Sequence, residues 1–209
     1  MAKLILVRHG QSTYNEKGLW AGFIDCPLTE LGREEARAAG EALKDVHIDV
    51  VFVSDLLRAQ QTWEEMAKVL HCEDIKPIIA PEIKERNYGD LAGKNKWEMK
   101  EQYGEEQWMK WRRGWNDDVP GGETLEDVYK RVVPYYQDSI LPLLKEGKTV
   151  LLSAHGNSLR ALVKYLDNIS NEDIPKLEIA TGGIYLYTIS EADGSVTGKE
   201  QRAAVENRS

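Results

Sequence analysis

Residues 6–12 read LVRHGQS, and residues 152–158 read LSAHGNS. Each is an apolar run that ends in histidine, glycine, a carboxamide and serine. The chain holds four histidines, His9, His47, His71 and His155, and two of them occupy the same place in these two stretches. Short apolar runs of this kind read as buried strands. After Gly156 the sequence SLRALVKYL has helical spacing.

The surrounding chain repeats that alternation. Strands are predicted at Leu4–Val7, Asp49–Val53, Ile75–Ile79, Thr149–Ala154 and Ile184–Ile189. A helix is predicted from Thr29, its N-cap, with Leu31, Ala36, Ala39 and Leu43 on one face. A second spans Leu57–Leu70, with Ala59, Thr62, Trp63, Met66 and Leu70 inward. A third spans Thr124–Leu144, broken or kinked at Pro134. The pattern predicts an α/β fold, a three-layer sandwich with a mostly parallel central sheet flanked by helices. Ligands in such folds sit beyond the carboxyl ends of the strands, where His9 and His155 fall. Residues 85–123 interrupt the alternation and read as a cap-like insertion. Residues 190–209 read as a polar, mobile tail. The length of 209 residues fits a single domain over 1–209.

Composition narrows the function classes. There are 27 basic and 35 acidic side chains, a formal net charge of -8, and no basic run, which argues against nucleic acid. No apolar segment is long enough to span a bilayer. Cys26 and Cys72 form no framework, and the N-terminal apolar run is too short for a signal peptide, so a cytoplasmic protein is expected.

The paired turns suit the transfer of an anionic group. Glycine after each histidine lets backbone approach a ligand, and a following helix N-terminus offers N–H groups to a phosphate. A neutral imidazole can attack phosphorus, and a second, protonated one can hold phosphoryl oxygens. A metal site is the rival use of two histidines. It would want carboxylate or thiolate ligands nearby, whereas Arg8 adjoins His9, and cationic neighbours favour a phosphate. His47 and His71 read as helix-end residues. Arg58, in the first turn of the helix after residues 49–53, is a candidate second clamp beside Arg8. Glu85, in the cluster Glu85-Arg86-Asn87-Tyr88-Gly89, is a candidate general acid/base; its bland alternative is a surface pair with Arg86. Trp108, Trp111 and Trp115 fall on one helical face and read as a structural stripe. Arg112 and Arg113 interrupt it, and both can reach one ligand only from a helix end or an irregular turn.

Together these motifs resemble the histidine phosphatase superfamily, and within it the 2,3-bisphosphoglycerate-dependent phosphoglycerate mutases. The resemblance runs from about Lys3 to Tyr187. It is carried by LVRHGQSTYN (6–15), DCPLTELG (25–32), SDLLRAQQT (54–62), ERNYGDLAGKNK (85–96), WRR (111–113) and AHGNSLRALVKYLDN (154–168). It implies a mutase-like fold, a phosphohistidine at His9, and Arg8, Arg58 and His155 around the transferred phosphoryl group. It implies proton exchange at Glu85. It further implies a substrate pocket formed by Ser12, Asn15, Ala21, Gly22, Tyr88, Lys96, Arg112, Arg113, Gly156 and Asn157, with Arg8, Arg58 and Glu85 also touching substrate. The implied reaction interconverts 3- and 2-phosphoglycerate without metal, with 2,3-bisphosphoglycerate as priming donor and intermediate. Partners are then small-molecule phosphoglycerates. Ala21-Gly22-Phe23 departs from the family's usual Thr-Gly-Trp, which removes one hydroxyl contact. The loop after Arg113 is shorter than in many members, so a monomer is expected over a homodimer. The runner-up is a phosphatase of the same superfamily, which passes the phosphate to water. A phosphopeptide-binding module with the same fold is a third reading.

Overall fold

A computed structural model describes residues 1–202. The chain runs β1 (Ala2–Arg8), α1 (Thr13–Glu16), α2 (Glu30–Glu41), β2 (Val50–Val53), α3 (Leu57–Leu70), β3 (Ile78–Ile79), α4 (Lys96–Arg113), α5 (Leu125–Tyr135), α6 (Leu141–Lys145), β4 (Thr149–Ala154), α7 (Gly156–Leu166), β5 (Ile184–Ile189) and β6 (Val196–Arg202). The strands form one sheet in the order β3-β2-β4-β1-β5-β6. Its β3, β2, β4 and β1 are parallel, while β5 and β6 are antiparallel additions.

Strand periodicity explains the layers. Along β1, Ala2, Leu4 and Leu6 enter one core, and Ile5 and Val7 enter the other. The first core holds Val150, Leu152 and Ala154 beneath Leu125, Val128 and Val132 of α5 and Leu159 and Leu162 of α7. The second holds Val51, Val53 and Leu151 beneath Ala39, Leu43, Trp63 and Met66. A strand buried on both faces reads as a near-continuous apolar run, as β1 does over Leu4–Val7 and β4 over Val150–Leu152.

The register sets the functional geometry. β1 and β4 pair in parallel with Leu6 opposite Leu152 and Arg8 opposite Ala154. The next residue of each strand is a histidine, so His9 and His155 leave the sheet side by side. His9 N donates to Ala154 O at 3.0 Å.

Several local expectations change. Leu31 is exposed, and its neighbour Gly32 is buried instead. The strand expected over Ile75–Ile79 shrinks to Ile78–Ile79, both exposed, because it lies at the sheet edge. The irregularity expected at Pro134 takes the form of a π turn over Tyr136–Ile140, joining α5 to α6. Trp115 lies past the end of α4 and packs edge-on against Tyr129, away from Trp108 and Trp111. The segment from Ser190, expected to be mobile, turns back and pairs as β6 along β5 through Arg202. Its polar side chains are anchored at their stems: Lys199 lies over the Tyr185 ring at 4.6 Å, and Arg202 pairs with Asp45. The rest of that tail, 203–209, lies outside the described residues.

Gly10 serves a different contact from the one its sequence position implies. A Cβ there would stand 2.1 Å from Gly32 O, and a Cβ on Gly32 would stand 2.0 Å from Gln11 O. The missing side chains let α2 meet the turn after β1 backbone to backbone; they make no room for a ligand. On helix propensity alone Gly32→Ala would stabilise α2 by about 1 kcal/mol. Overpacking against fixed backbone is expected to outweigh this and destabilise the fold by about 2 kcal/mol or more. Urea unfolding checks it; an unchanged or higher midpoint would show that the contact is slack.

Candidate active site

Beyond the carboxyl ends of β1 and β4 lies a cavity of about 150 Å³. His9 is at its floor, 3% exposed. The His9 Nδ1 is 2.7 Å from Gly10 O. A carbonyl can only accept, so Nδ1 carries the proton and Nε2 keeps its lone pair. Burial pushes the His9 pKa well below its usual value, and the Arg58 and Arg8 guanidinium groups push it the same way. A neutral imidazole with a fixed tautomer is the form that a nucleophile requires.

The His155 ring lies 5.0 Å from that of His9, outside the residues that line the cavity. Its Nε2 is 2.6 Å from Ser54 Oγ. Burial, Arg58 and His9 also push its pKa well down. The protonated second histidine expected from the sequence is therefore disfavoured while no anion is bound. A phosphate beside it would supply the opposing charge.

Three arginines approach from different elements, each held by backbone carbonyls. Arg58, in the first turn of α3, donates to Gly22 O at 2.8 Å and Ile24 O at 3.0 Å, which ties the 21–26 loop to the site. Arg8 donates to Ile179 O, and its Nε is buried with no protein partner. Arg160 of α7 also lines the cavity. Lys96, Arg112 and Arg113 complete six cationic side chains, against the carboxylates of Glu85 and Glu178. The acidic chain thus concentrates positive charge in one place.

The sequence left open whether Glu85 was merely a surface partner of Arg86. Both are buried. The Arg86 guanidinium lies over the Tyr88 ring at 4.6 Å and donates to Trp111 O. Glu85 Oε1 accepts from Arg86 N at 2.7 Å, Asn157 N at 3.2 Å and Asn157 Nδ2 at 3.0 Å. These bonds fall on one oxygen and leave Oε2 for other work. Asn157 is in the first turn of α7, so the helix end expected to meet a phosphate already faces a carboxylate.

A third apolar cluster brings the remaining residues in. Trp20, Tyr88, Leu91, Met99, Trp108, Trp111 and Val119 form a small core of their own, so the tryptophan stripe is structural as far as Trp111. That core sets the end of α4, and from there Arg112 and Arg113 both reach the cavity, the helix-end solution that adjacent arginines require. Arg112 stacks on Trp108 at 4.4 Å, and Arg113 pairs with Glu178. Asn15, Ala21, Gly22, Tyr88, Lys96, Gly156 and Asn157 line the cavity as expected. Ser12 does not line it. Ser12 caps α1 and holds Asn15 through Ser12 Oγ to Asn15 Oδ1 at 2.9 Å. Leu19, Trp20, Arg160, Glu178 and Ile179 also line it and were not singled out from sequence.

Comparison with known proteins places this geometry. The family model described as "Histidine phosphatase superfamily (branch 1)" matches residues 4–201. A protein of Methylocella silvestris named 2,3-bisphosphoglycerate-dependent phosphoglycerate mutase is 46% identical over 199 residues, covering 94% of this chain and 96% of that one. A protein of Chelativorans sp. with the same name is 48% identical over 199 residues, with 94% and 96% covered. Among solved structures, YhfR of Bacillus stearothermophilus superposes with a TM-score of 0.82 at 25% identity, covering 94% of each chain.

The buried histidines make a stability prediction. An unfolded histidine titrates near 6.5, and both His9 and His155 titrate well below that in the fold. As pH falls through 6.5 the unfolded chain takes up protons that the fold refuses, so stability is lost on acidification. Each group removes about 1.4 kcal/mol per pH unit until its folded pKa is reached. The double variant His9→Gln/His155→Gln is expected to lose less stability than wild type between pH 6.5 and 5 in urea unfolding; parallel curves would contradict the assignment.

Proposed function

Because this chain belongs to the histidine phosphatase superfamily, we propose that it interconverts 3-phosphoglycerate and 2-phosphoglycerate through a phosphohistidine and a 2,3-bisphosphoglycerate intermediate. One observation carries the reading: a neutral histidine with a free Nε2 lies in a cavity whose wall combines six cations with a single-sided glutamate. Relatives 46% and 48% identical over nearly the whole chain bear the mutase name.

Charge and geometry support the residue roles that the resemblance implies. In the forward transfer the bond from phosphorus to His9 Nε2 breaks, and one to the substrate hydroxyl oxygen forms. The hydroxyl proton passes to Glu85, whose Oε2 has none of the bonds that hold Oε1. Arg8, Arg58 and His155 surround the moving phosphoryl group, where charge stabilisation matters most. Lys96, Arg112 and Arg113, farther out on the cap, hold the substrate carboxylate or its second phosphate. Ser12 acts through Asn15. 2,3-Bisphosphoglycerate would supply the phosphoryl group that primes His9. The unpaired, buried Nε of Arg8 is a donor that such an anion satisfies.

The reading carries with it a cytoplasmic, metal-independent enzyme of small-molecule phosphoglycerates, active as a monomer. No helix among the described residues is long and apolar enough to cross a membrane.

In chelator, with trace 2,3-bisphosphoglycerate, the protein is expected to interconvert the two phosphoglycerates and to gain one acid-labile phosphate by intact mass. His9→Ala should lose both the activity and the phosphate. A requirement for Mn²⁺, or free phosphate as the main product, would overturn the reading; the latter would favour the phosphatase.

Lys96 adds a pH signature. Burial, then Arg112 and Arg8, lower its pKa to about 8. The ammonium is present below that pH and is lost above it. KM for phosphoglycerate should therefore climb above pH 8 with little change in kcat, and Lys96→Met should show a raised, pH-flat KM. A wild-type KM that stays level to pH 9.5 would remove Lys96 from anion binding.

A further inference from the structure

Arg160 lies within the 154–168 motif but has no role assigned by the sequence, and it is only 2% exposed. Its guanidinium is held on all sides. Nε donates to Leu177 O at 3.1 Å, and Nη2 donates to Ile174 O at 2.8 Å and Arg113 O at 2.9 Å. Those carbonyls already anchor it between α7, the end of α4 and the 174–177 turn. The remaining nitrogen, Nη1, donates to Asn157 Oδ1 at 2.9 Å. Asn157 precedes Arg160 by three residues on α7, so both share one helix face.

That last bond decides which way Asn157 points. A carboxamide accepts at its oxygen and donates at its nitrogen. With Oδ1 on the guanidinium, the NH2 group faces Glu85 Oε1 and Tyr88 Oη, each at 3.0 Å. Turning the amide over would set its oxygen against a carboxylate and its NH2 against a guanidinium, both repulsive. We propose that Arg160 is a positioning residue of the phosphoryl transfer: it locks the Asn157 carboxamide so that its NH2 group pins Glu85 Oε1 and leaves Oε2 to take the substrate proton. This rests on the reading of Glu85 as proton acceptor.

A purely architectural arginine would need only the three carbonyls. Arg160 spends its fourth bond on the side chain that touches the proton acceptor. It also lines the cavity, so the rival role is direct contact with substrate. The two roles separate kinetically: a positioning residue acts on kcat, a substrate contact on KM.

The test is a double-mutant cycle of Arg160→Met and Asn157→Ala, read as kcat and KM of the primed interconversion. Each single variant is expected to lower kcat by on the order of tenfold, the scale of a misplaced proton-transfer group, with KM within about threefold of wild type. In the Asn157→Ala background, Arg160→Met should cost less than about threefold more, because the amide that it orients is gone. An undiminished tenfold loss in that background, or a raised KM at constant kcat, would overturn the proposal. Circular dichroism checks the fold. If Arg160→Met does not fold, Arg160→Lys keeps the charge without the fork and carries the same cycle. A wild type that hydrolyses phosphoglycerate instead of isomerising it would overturn the mutase reading. The same cycle read on hydrolysis would still decide the role of Arg160.

Discussion

The parallel pairing of β1 with β4 is the constraint on which the site depends. Register in a buried sheet is not negotiable by one residue, because a slip would exchange the two cores of the whole strand. Pairing Leu6 with Leu152 therefore fixes Arg8 beside Ala154, and with it the emergence of His9 next to His155. Neither histidine needs a dedicated support to find the other. The apolar side chains upstream, set into both layers of helices, bring the rings within 5.0 Å. The placement of the two histidines is thus a consequence of core burial.

What the sheet assembles, the surroundings make costly. Buried cations lose hydration, and opposite charge repays this only in part. The protein answers with backbone carbonyls on Arg8, Arg58 and Arg160 instead of a matching set of carboxylates. Carbonyls orient a guanidinium without cancelling its charge, so the cavity keeps its field for an anion. Burial first, and then the same field, depress the pKa values of His9, His155 and Lys96. A ligand anion relieves that repulsion and stabilises the fold by mass action, about 2.7 kcal/mol at a hundredfold excess over Kd.

Elements with a local pattern were legible in the sequence. Leu57–Leu70 and Thr149–Ala154 appear with the bounds that their periodicity gives, and Thr29 caps α2 through Gly32 N. The histidine echo marked the site because both copies end strands that must be neighbours. Features set by distant contacts were not legible. Leu31 carries the periodicity of a core residue, yet the close approach of Gly32 to Gln11 rotates α2 and leaves it exposed. Polar β6 has no apolar alternation, and only its partner β5 makes it a strand. Glu178 and Ile179 sit in an irregular stretch whose role appears once Arg113 and Arg8 reach it. Arg160 reads as an ordinary helix arginine until its four acceptors, three of them from elsewhere in the chain, are in view.

Glu85 shows how few degrees of freedom the site retains. One oxygen is held by two backbone N–H groups and one carboxamide, and that carboxamide is itself oriented by a buried guanidinium. A carboxylate meant only to neutralise charge would gain as much from a flexible pairing with any of six cations. Holding one oxygen and sparing the other suits the proposed transfer, in which a proton arrives along a single line while His9 faces the cavity from a fixed tautomer. Both groups that the proposed transfer uses are set by backbone: His9 through the carbonyl of its neighbour Gly10, Glu85 through the amide of its neighbour Arg86. The cations on α4 are held by side chains instead: Arg112 stacks on Trp108 at 4.4 Å, and Arg113 pairs with Glu178.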